Sequence, residues 1–195
     1  MIGPLNEQVL QAAMAECTSQ TTLVFGALTV RVHTNRHQIL DELTSYYKSY
    51  TQASSGDCFV DIYAVESDEV AQSAEWKDVP REAGKQGKKE GYLDSFSAAG
   101  VFKGRWIKKF KTGMTLLQRL EKPLAIGPCL ANMAQIINFI NNQFLNLHLR
   151  QGYLLGHASG FSVDGEITAI AAGSGGGKST LMLRCLESNK RQFVT

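Results

Sequence analysis

The feature that most constrains the fold of this chain is a glycine-rich run near its C-terminal end, Ala172-Gly173-Ser174-Gly175-Gly176-Gly177-Lys178-Ser179-Thr180. Glycines let successive backbone N–H groups turn inward around an anion, because they carry no Cβ that would clash. An apolar, β-rich run precedes this loop at residues 167–172, and an amphipathic run follows over 178–187. The pattern predicts a strand, a phosphate-binding loop and a helix whose positive N-terminal end faces the same anion.

All residues from 172 to 180 are predicted to contact nucleotide, and the expected ligands are ATP and Mg²⁺. Lys178 is expected to extend over the β and γ phosphates, and Ser179 to give its hydroxyl to the bridging Mg²⁺. Thr180 is a second, weaker hydroxyl candidate. The strict pattern has glycine six positions before the lysine, where this chain has Ala172. Because alanine is the smallest replacement, we expect the loop to survive; an ordinary flexible connection is the alternative.

Composition restricts the class of protein. The chain has 195 residues, of which 44% are hydrophobic and 19% charged, so it can bury a core as one domain or two small ones. A formal net charge of +2 is too mild to indicate nucleic acid or an anionic membrane as the main partner. Neither a signal peptide nor a membrane-spanning apolar run is visible in the sequence. The cysteines, Cys17, Cys58, Cys129 and Cys185, form no CxxC pair and are interpreted as reduced thiols of a cytoplasmic protein.

The first part of the chain predicts mixed α and β structure. The expected elements are a helix over 5–16, a strand or hairpin over 23–33, a helix over 36–47 with Asn35 as its N-cap, and a strand over 58–65. The polar stretch 66–91 predicts a loop or an extended excursion. Two or three further strands are expected between 92 and 127, with Trp106 as an apolar anchor and with Gly100, Gly104 and Gly113 at turns or bulges.

A long amphipathic helix is expected over residues 131–149. Its apolar stripe consists of Met133, Ile136, Ile137, Ile140, Phe144 and Leu147. Strands are expected at 153–158 and 167–172, a helix over 178–187, and a last strand beginning near 192.

The segment from Gly156 to Thr180 resembles the catalytic core of the bacterial HPr serine kinase/phosphorylase family. In that family a histidine opens a strand, a turn follows, and the next strand runs into Gly-x-Ser-Gly-x-Gly-Lys-Ser. Here His157 stands 15 positions before Ala172, which is similar to the family's spacing. The matching loop residues are Ser174, Gly175, Gly177, Lys178 and Ser179, whereas Ala172 departs from the pattern. Runs at 81–85, 111–114, 126–129 and 138–142 look similar to HPr-kinase-related proteins, so the resemblance covers most of the chain.

That resemblance implies an α/β fold: a mixed α+β N-terminal region over 1–127, then the start of a P-loop kinase domain over 128–195. This domain would be akin to phosphoenolpyruvate carboxykinase and incomplete at its C-terminus. The implied reaction transfers the γ-phosphoryl group of ATP to a hydroxyl on a protein serine or a small molecule. His157 and Lys178 would be catalytic, His157 by influencing protonation of a neighbouring base or phosphate; a polar strand-end residue is the alternative for His157. Homo-oligomers are compatible with this interpretation.

The family also has an acidic pair just after the next strand, which serves as base and Mg²⁺ ligand. Because residues 192–195 are expected to begin that strand, we hypothesise that the acidic residues follow Thr195 in a longer reading frame. A sheet completed by another chain is the alternative.

Two other functions stay open. Asp164-Gly165-Glu166-Ile167 leading into the loop is also similar to ABC-type transport ATPases, although His157 has no task in that class and the sequence contains no Leu-Ser-Gly-Gly-Gln signature. A module that binds ATP without transferring it is the third interpretation. The basic residues between 103 and 111 indicate a solvated strand face rather than a nucleic-acid surface. His33 and His37 lack the nearby ligands that a metal site needs.

Overall fold

The computed structural model describes residues 7–26, 28–48, 58–68, 74–79, 89–173, 175–187 and 191–194. These residues form a mixed α and β structure, as the sequence predicts. The chain divides into two compact units, Met1–Phe144 and Leu145–Thr195, whereas the boundary expected from the sequence lay between residues 127 and 128.

An eight-stranded sheet organises the first unit. In chain order its strands are β1 Ser19–Phe25, β2 Leu28–Thr34, β3 Cys58–Glu66, β4 Lys77–Asp78, β5 Glu90–Phe96, β6 Phe102–Lys109, β7 Thr115–Gln118 and β8 Leu124–Gly127. The order across the sheet is β1-β2-β3-β8-β7-β6-β5-β4. The pairs β2–β3 and β3–β8 are parallel, and all other neighbours are antiparallel.

Three α-helices accompany this sheet: α1 Glu7–Ala15, α2 His37–Tyr47 and α3 Met133–Arg150, which follows a 3-10 turn at Leu130–Asn132. Helix α1 packs on one face, where Leu10 and Met14 join a buried cluster with Trp106 and Leu117. Helix α3 lies on the opposite face, because Gln143 donates to Gln118, whose side chain alternates with that of Leu117 along β7. Side chains from both faces of the sheet are therefore buried.

Most predicted elements of this unit are confirmed. The helices expected over 5–16 and 36–47 correspond to α1 and α2, and the run over 23–33 is the β1–β2 hairpin. Four strands, rather than two or three, lie between residues 90 and 127. Trp106 is fully buried, as expected of an anchor. Much of the predicted loop over 66–91 lies outside the described residues, and its described part includes the short strand β4.

The buried face of α3 differs from the predicted stripe. Ile136 and Ile140 are buried as expected, but Phe139 and Gln143 are the other buried side chains. Gln143 donates to the carbonyl of Phe139 and to the side chain of Gln118. The apolar pattern could not select this face, because a polar side chain lies on it with its hydrogen bonds satisfied.

Asn35 does not cap α2, which corrects the sequence prediction. Arg36 occupies the N-cap position, and its side chain makes no capping hydrogen bond within the described part of the chain. The Asn35 amide pairs with the backbone at the end of β3 instead: Nδ2 donates to the carbonyl of Glu66 at 3.0 Å, and the Glu66 N–H donates to Oδ1 at 2.8 Å. This bridge takes both polar ends of the amide, so neither remains for the helix.

We expect Asn35→Ala to lower the free energy of unfolding by about 1–3 kcal/mol, because the Glu66 N–H and carbonyl lose their partners together. Urea denaturation measures the change. Asn138→Ala, on the exposed side of α3, is the control. A loss no greater than that of the control would show that the bridge is not needed.

The second unit contains a three-stranded sheet and one helix. Its elements are β9 Ala158–Val163, β10 Glu166–Ala171, α4 Lys178–Leu186 and β11 Gln192–Val194. The sheet order is β10-β9-β11, and β9 is antiparallel to both neighbours. The strand, helix and last strand expected over 167–172, 178–187 and from 192 are confirmed.

The strand expected over residues 153–158 is wrong, because β9 begins only at Ala158. Asp164 and Gly165 have φ values of 50° and 87°, as a two-residue hairpin turn requires. This turn pairs Ala158 with Ala171 at the end of β10, so earlier residues have no opposite strand. Leu154 is 97% exposed. The apolar run over 153–155 therefore does not contribute to the sheet.

Two further properties of the described residues are the state of the cysteine thiols and the hydropathy of the helices. Of the described cysteines, Cys17, Cys129 and Cys185 are free thiols. Burial raises the pKa of Cys17 to about 11 and also raises the pKa of Cys129, so both are protonated at neutral pH. No helix within the described ranges has the length and apolar character needed to cross a membrane.

Candidate functional site

The glycine-rich loop connects β10 to α4. Strand β10 ends at Ala171 and α4 begins at Lys178, so residues 172–177 form the connection; Ser174 lies outside the described residues. Lys178, Ser179 and Thr180 form the first turn of the helix. The predicted strand, loop and helix therefore follow one another as a phosphate-binding loop requires.

Two glycines of the loop have conformations that other residues rarely adopt. Gly175 has φ of 77° and Gly177 has φ of 74°, both in the left-handed region. Gly177 is the N-cap of α4 and has no side chain with which to cap it. The first N–H groups of a helix have no intrahelical acceptor. The N-terminus of α4 can therefore donate backbone hydrogen bonds to an anion.

Lys178 folds back across the loop. Its Nζ donates to the carbonyl of Ala172 at 3.0 Å and to that of Gly173 at 3.1 Å, and the residue is only 8% exposed. The lysine thereby joins the start of the loop to the start of the helix. The positive charge of Lys178 is thus held at the start of the loop.

Ala172 fits the loop because position 176 is glycine. A Cβ at Gly176 would lie 2.9 Å from the Cβ of Ala172 and 3.1 Å from the carbonyl oxygen of Gly173. The first distance is too short for two carbon atoms without movement of the backbone. Ala172 departs from the strict sequence pattern, and its methyl group occupies space that the Cβ of any residue other than glycine at position 176 would need.

The hydroxyl groups lie on the exposed first turn of α4. Ser179 and Thr180 are both exposed, so either can reach a ligand above the helix N-terminus. In the described part of the chain, no group of three or more His, Cys, Asp or Glu side chains could hold a metal ion. The hydroxyl oxygens of Ser179 and Thr180 are of the ligand type that Mg²⁺ prefers, together with phosphate oxygens.

His157 lies at the loop end of the β9–β10 hairpin. The last paired residues are Ala158 and Ala171. His157 immediately precedes Ala158 and Ala172 immediately follows Ala171, so both lie one position beyond that pair. The spacing of 15 between them equals two six-residue strands, a two-residue turn and one further step. His157 is exposed. The hairpin therefore brings His157 to the start of the loop.

The carboxylates of the second unit lie away from the loop. Residues 145–195 contain only three, those of Asp164, Glu166 and Glu187. The first two lie at the hairpin turn, six strand residues or about 20 Å from the loop. Glu187 follows the far end of α4 and pairs with Arg184 at 3.0 Å. None of the three is placed to act on a ligand in the loop.

Sequence reasoning did not identify Arg191 as part of the support for this site. Its Nη1 donates to the carbonyl of Cys185 at 2.9 Å, and its Cζ lies 5.3 Å from the centre of the Phe161 ring. These contacts attach the C-terminal end of α4 to β9. The only sequence signal is a basic residue after a helix, which does not specify either partner.

The chain was compared with models of known protein families, with curated proteins and with solved structures, and no match was found. The function of this chain is therefore inferred from the geometry of the loop.

Proposed function

We propose that residues 172–180 bind the phosphates of ATP together with Mg²⁺, and that the protein is an ATP-dependent phosphotransferase. The observation that carries the proposal is the loop itself. It turns through left-handed glycines, ends at a helix N-terminus capped by glycine, and holds the Lys178 ammonium across its opening. Backbone donors and a lysine arranged in this way suit a polyphosphate.

The chemistry of binding follows from these groups. When ATP binds, Lys178 exchanges its two carbonyl acceptors for phosphate oxygens, which carry more negative charge. Ser179 is the proposed Mg²⁺ ligand and Thr180 the second candidate. The Lys178 ammonium and the Mg²⁺ ion would together stabilise the negative charge on the oxygens of a phosphoryl group during transfer.

His157 is the proposed proton-transfer residue. Its position beside Ala172 supports this role, because an imidazole there can approach the phosphate end of a bound nucleotide. The proposed acceptor is a hydroxyl group on a protein serine or on a small molecule.

ATP binding without transfer is the second candidate. The placement of Asp164, Glu166 and Glu187 away from the loop favours it, because phosphoryl transfer commonly uses a carboxylate to orient the acceptor. Incubation of the protein with γ-labelled ATP and a lysate of its host separates the two. Labelled acceptor supports a kinase, free phosphate alone an ATPase, and intact ATP a binding module.

We expect His157→Ala to keep ATP binding while slowing phosphoryl transfer by about 10²–10⁴-fold, the usual contribution of a general acid or base. His148→Ala, at the end of α3, is the matched histidine control. Transfer is measured with γ-labelled ATP, and binding by titration. Equal transfer by the His157→Ala variant and the parent would remove His157 from the mechanism.

A further inference from the structure

Four polar side chains of the first unit meet on one face of β2 and β3. Arg31 pairs with Asp61 and His33 with Tyr63 across these parallel strands, so all four side chains project from the same side of the sheet. Tyr63 also packs against the cluster beneath α1. The neighbouring residues of β1 on this face, Gln20 and Thr22, are exposed. This group, the His33 cluster, lies outside the nucleotide loop and its function.

The imidazole of His33 is held by two contacts. Its Nε2 lies 2.7 Å from Oδ1 of Asp61, and its ring stacks on Tyr63 with the ring centres 4.7 Å apart and the planes 13° from parallel. A carboxylate only accepts hydrogen bonds, so Nε2 carries the proton. In the neutral ring the lone pair is then on Nδ1. Burial raises the pKa of Tyr63, so its ring stays a neutral platform.

The second ring nitrogen is open to a ligand. Nδ1 of His33 makes no hydrogen bond to any residue in the described ranges, and it is not closed off from solvent. The side chain as a whole is 16% exposed. Asp61 and Tyr63 together fix the orientation of the His33 ring. The lone pair of Nδ1 therefore has a defined direction at the surface of the sheet.

Arg31 brings a positive charge to the same carboxylate that holds His33, because Nη1 of Arg31 and Nε2 of His33 both approach Oδ1 of Asp61. Its side chain is 41% exposed, and only Nη1 approaches Asp61, at 3.4 Å. No other hydrogen bond joins the guanidinium to a described residue. Its remaining N–H donors can therefore bind a doubly bonded or ionised oxygen, and a planar guanidinium suits phosphate oxygens especially well.

We propose that His33 accepts a phosphoryl group on Nδ1, with Asp61 as the positioning residue and Arg31 binding the phosphoryl oxygens. The Nδ1 lone pair forms the N–P bond to a phosphoryl donor of the phosphoramidate class while the P–N bond of the donor breaks, and the amine leaves with those electrons. The ring keeps its Nε2 proton, and Asp61 stabilises the positive charge that the phosphorylated imidazole acquires. The nucleophilic character of His33 does not depend on the function proposed for the nucleotide loop.

His37 provides an internal comparison. Its Nε2 also approaches a carboxylate, that of Asp41 at 3.3 Å, but its side chain is 72% exposed on helix α2. Ring stacking is found at His33 and, among the described residues, not at His37. If exposure alone governed reactivity, His37 would react faster than His33.

The test uses potassium phosphoramidate, a small phosphoryl donor that does not need a nucleotide site. Nδ1 attacks its phosphorus, and the P–N bond breaks to release ammonia. We expect His33 to be phosphorylated at least ~10-fold faster than His37, and Asp61→Asn to slow labelling at His33 by about 10–100-fold, as loss of a positioning carboxylate does. Acid-labile label is mapped to peptides, and ³¹P NMR distinguishes Nδ1 from Nε2 phosphorylation. Asp41→Asn is the matched control, and thermal unfolding verifies that each variant folds.

Two results would overturn the proposal: labelling of His33 no faster than that of His37, or labelling at Nε2. The comparison of labelling rates at His33 and His37 uses the unmodified chain. It therefore tests the proposal even if the Asp61→Asn variant fails to fold.

Discussion

Lys178→Ala is expected to weaken binding of Mg²⁺-ATP at least ~30-fold, because removal of one partner of a desolvated charge pair costs about 2–5 kcal/mol. The lysine is only 8% exposed, and its Nζ is held 3.0 Å from the carbonyl of Ala172. The ammonium is thus already close to the proposed phosphate site, and little side-chain entropy is lost when it turns to a ligand. Isothermal titration with Mg²⁺-ATP measures the change.

The same substitution should leave the fold intact. The Lys178 ammonium donates to two carbonyls of its own loop, so the expected loss of unfolding free energy is small. Lys178→Arg is the matched control: it keeps the charge, but its planar fork differs in shape from an ammonium. We expect partial ATP binding by that variant. Unchanged ATP affinity in Lys178→Ala would refute the nucleotide site, provided that the thermal unfolding of the two proteins agrees.

Gly176→Ala is expected to impair the loop, and Ala172→Gly to restore it. The added Cβ would lie 2.9 Å from the Cβ of Ala172, which no rotation of either side chain can relieve, because both atoms are fixed to the backbone. Overpacking of this kind typically costs about 1–3 kcal/mol. If this cost falls on the loop conformation that binds phosphate, we expect ATP affinity to fall by about 5- to 150-fold.

A double-mutant cycle separates this contact from general loop strain. Ala172→Gly alone is expected to be nearly neutral, and the double variant to recover most of the lost ATP affinity, with a coupling energy of about 0.5–3 kcal/mol. Gly173→Ala is the control, because a Cβ at that position meets no described atom within 4 Å. Additive effects of the two substitutions would show that the Ala172 contact does not limit position 176.

Local rules account for the parts of the site that the sequence predicted. Gly175 and Gly177 have positive φ angles, which glycine adopts more readily than other residues. This preference belongs to each residue by itself and does not depend on tertiary contacts. The strand before the loop and the helix after it follow from short apolar patterns and from the Asp164–Gly165 turn. The position of His157 beside Ala172 follows in turn from the two-residue hairpin, because antiparallel pairing converts sequence distance into a register.

Contacts between distant residues account for the parts that sequence reasoning missed. Asn35 carries the signature of a helix cap, yet Glu66, 31 positions away, takes both ends of its amide. His33 and Asp61 are 28 positions apart and meet only because β2 and β3 are parallel neighbours. A pattern within one segment contains no information on which strand will lie beside it.

By itself, the sequence determined the glycine conformations, the strand, loop and helix order around residues 172–180, and the mixed α and β character of the chain. These depend on steric limits and on periodicity over a few neighbouring residues. Only the tertiary structure decided that Lys178 spans the loop, that Ala172 needs glycine at 176, and that an oriented histidine lies on the first sheet. Each of these depends on atoms that are brought together by backbone closure or strand pairing, and free energy from such contacts arises only once the chain has folded.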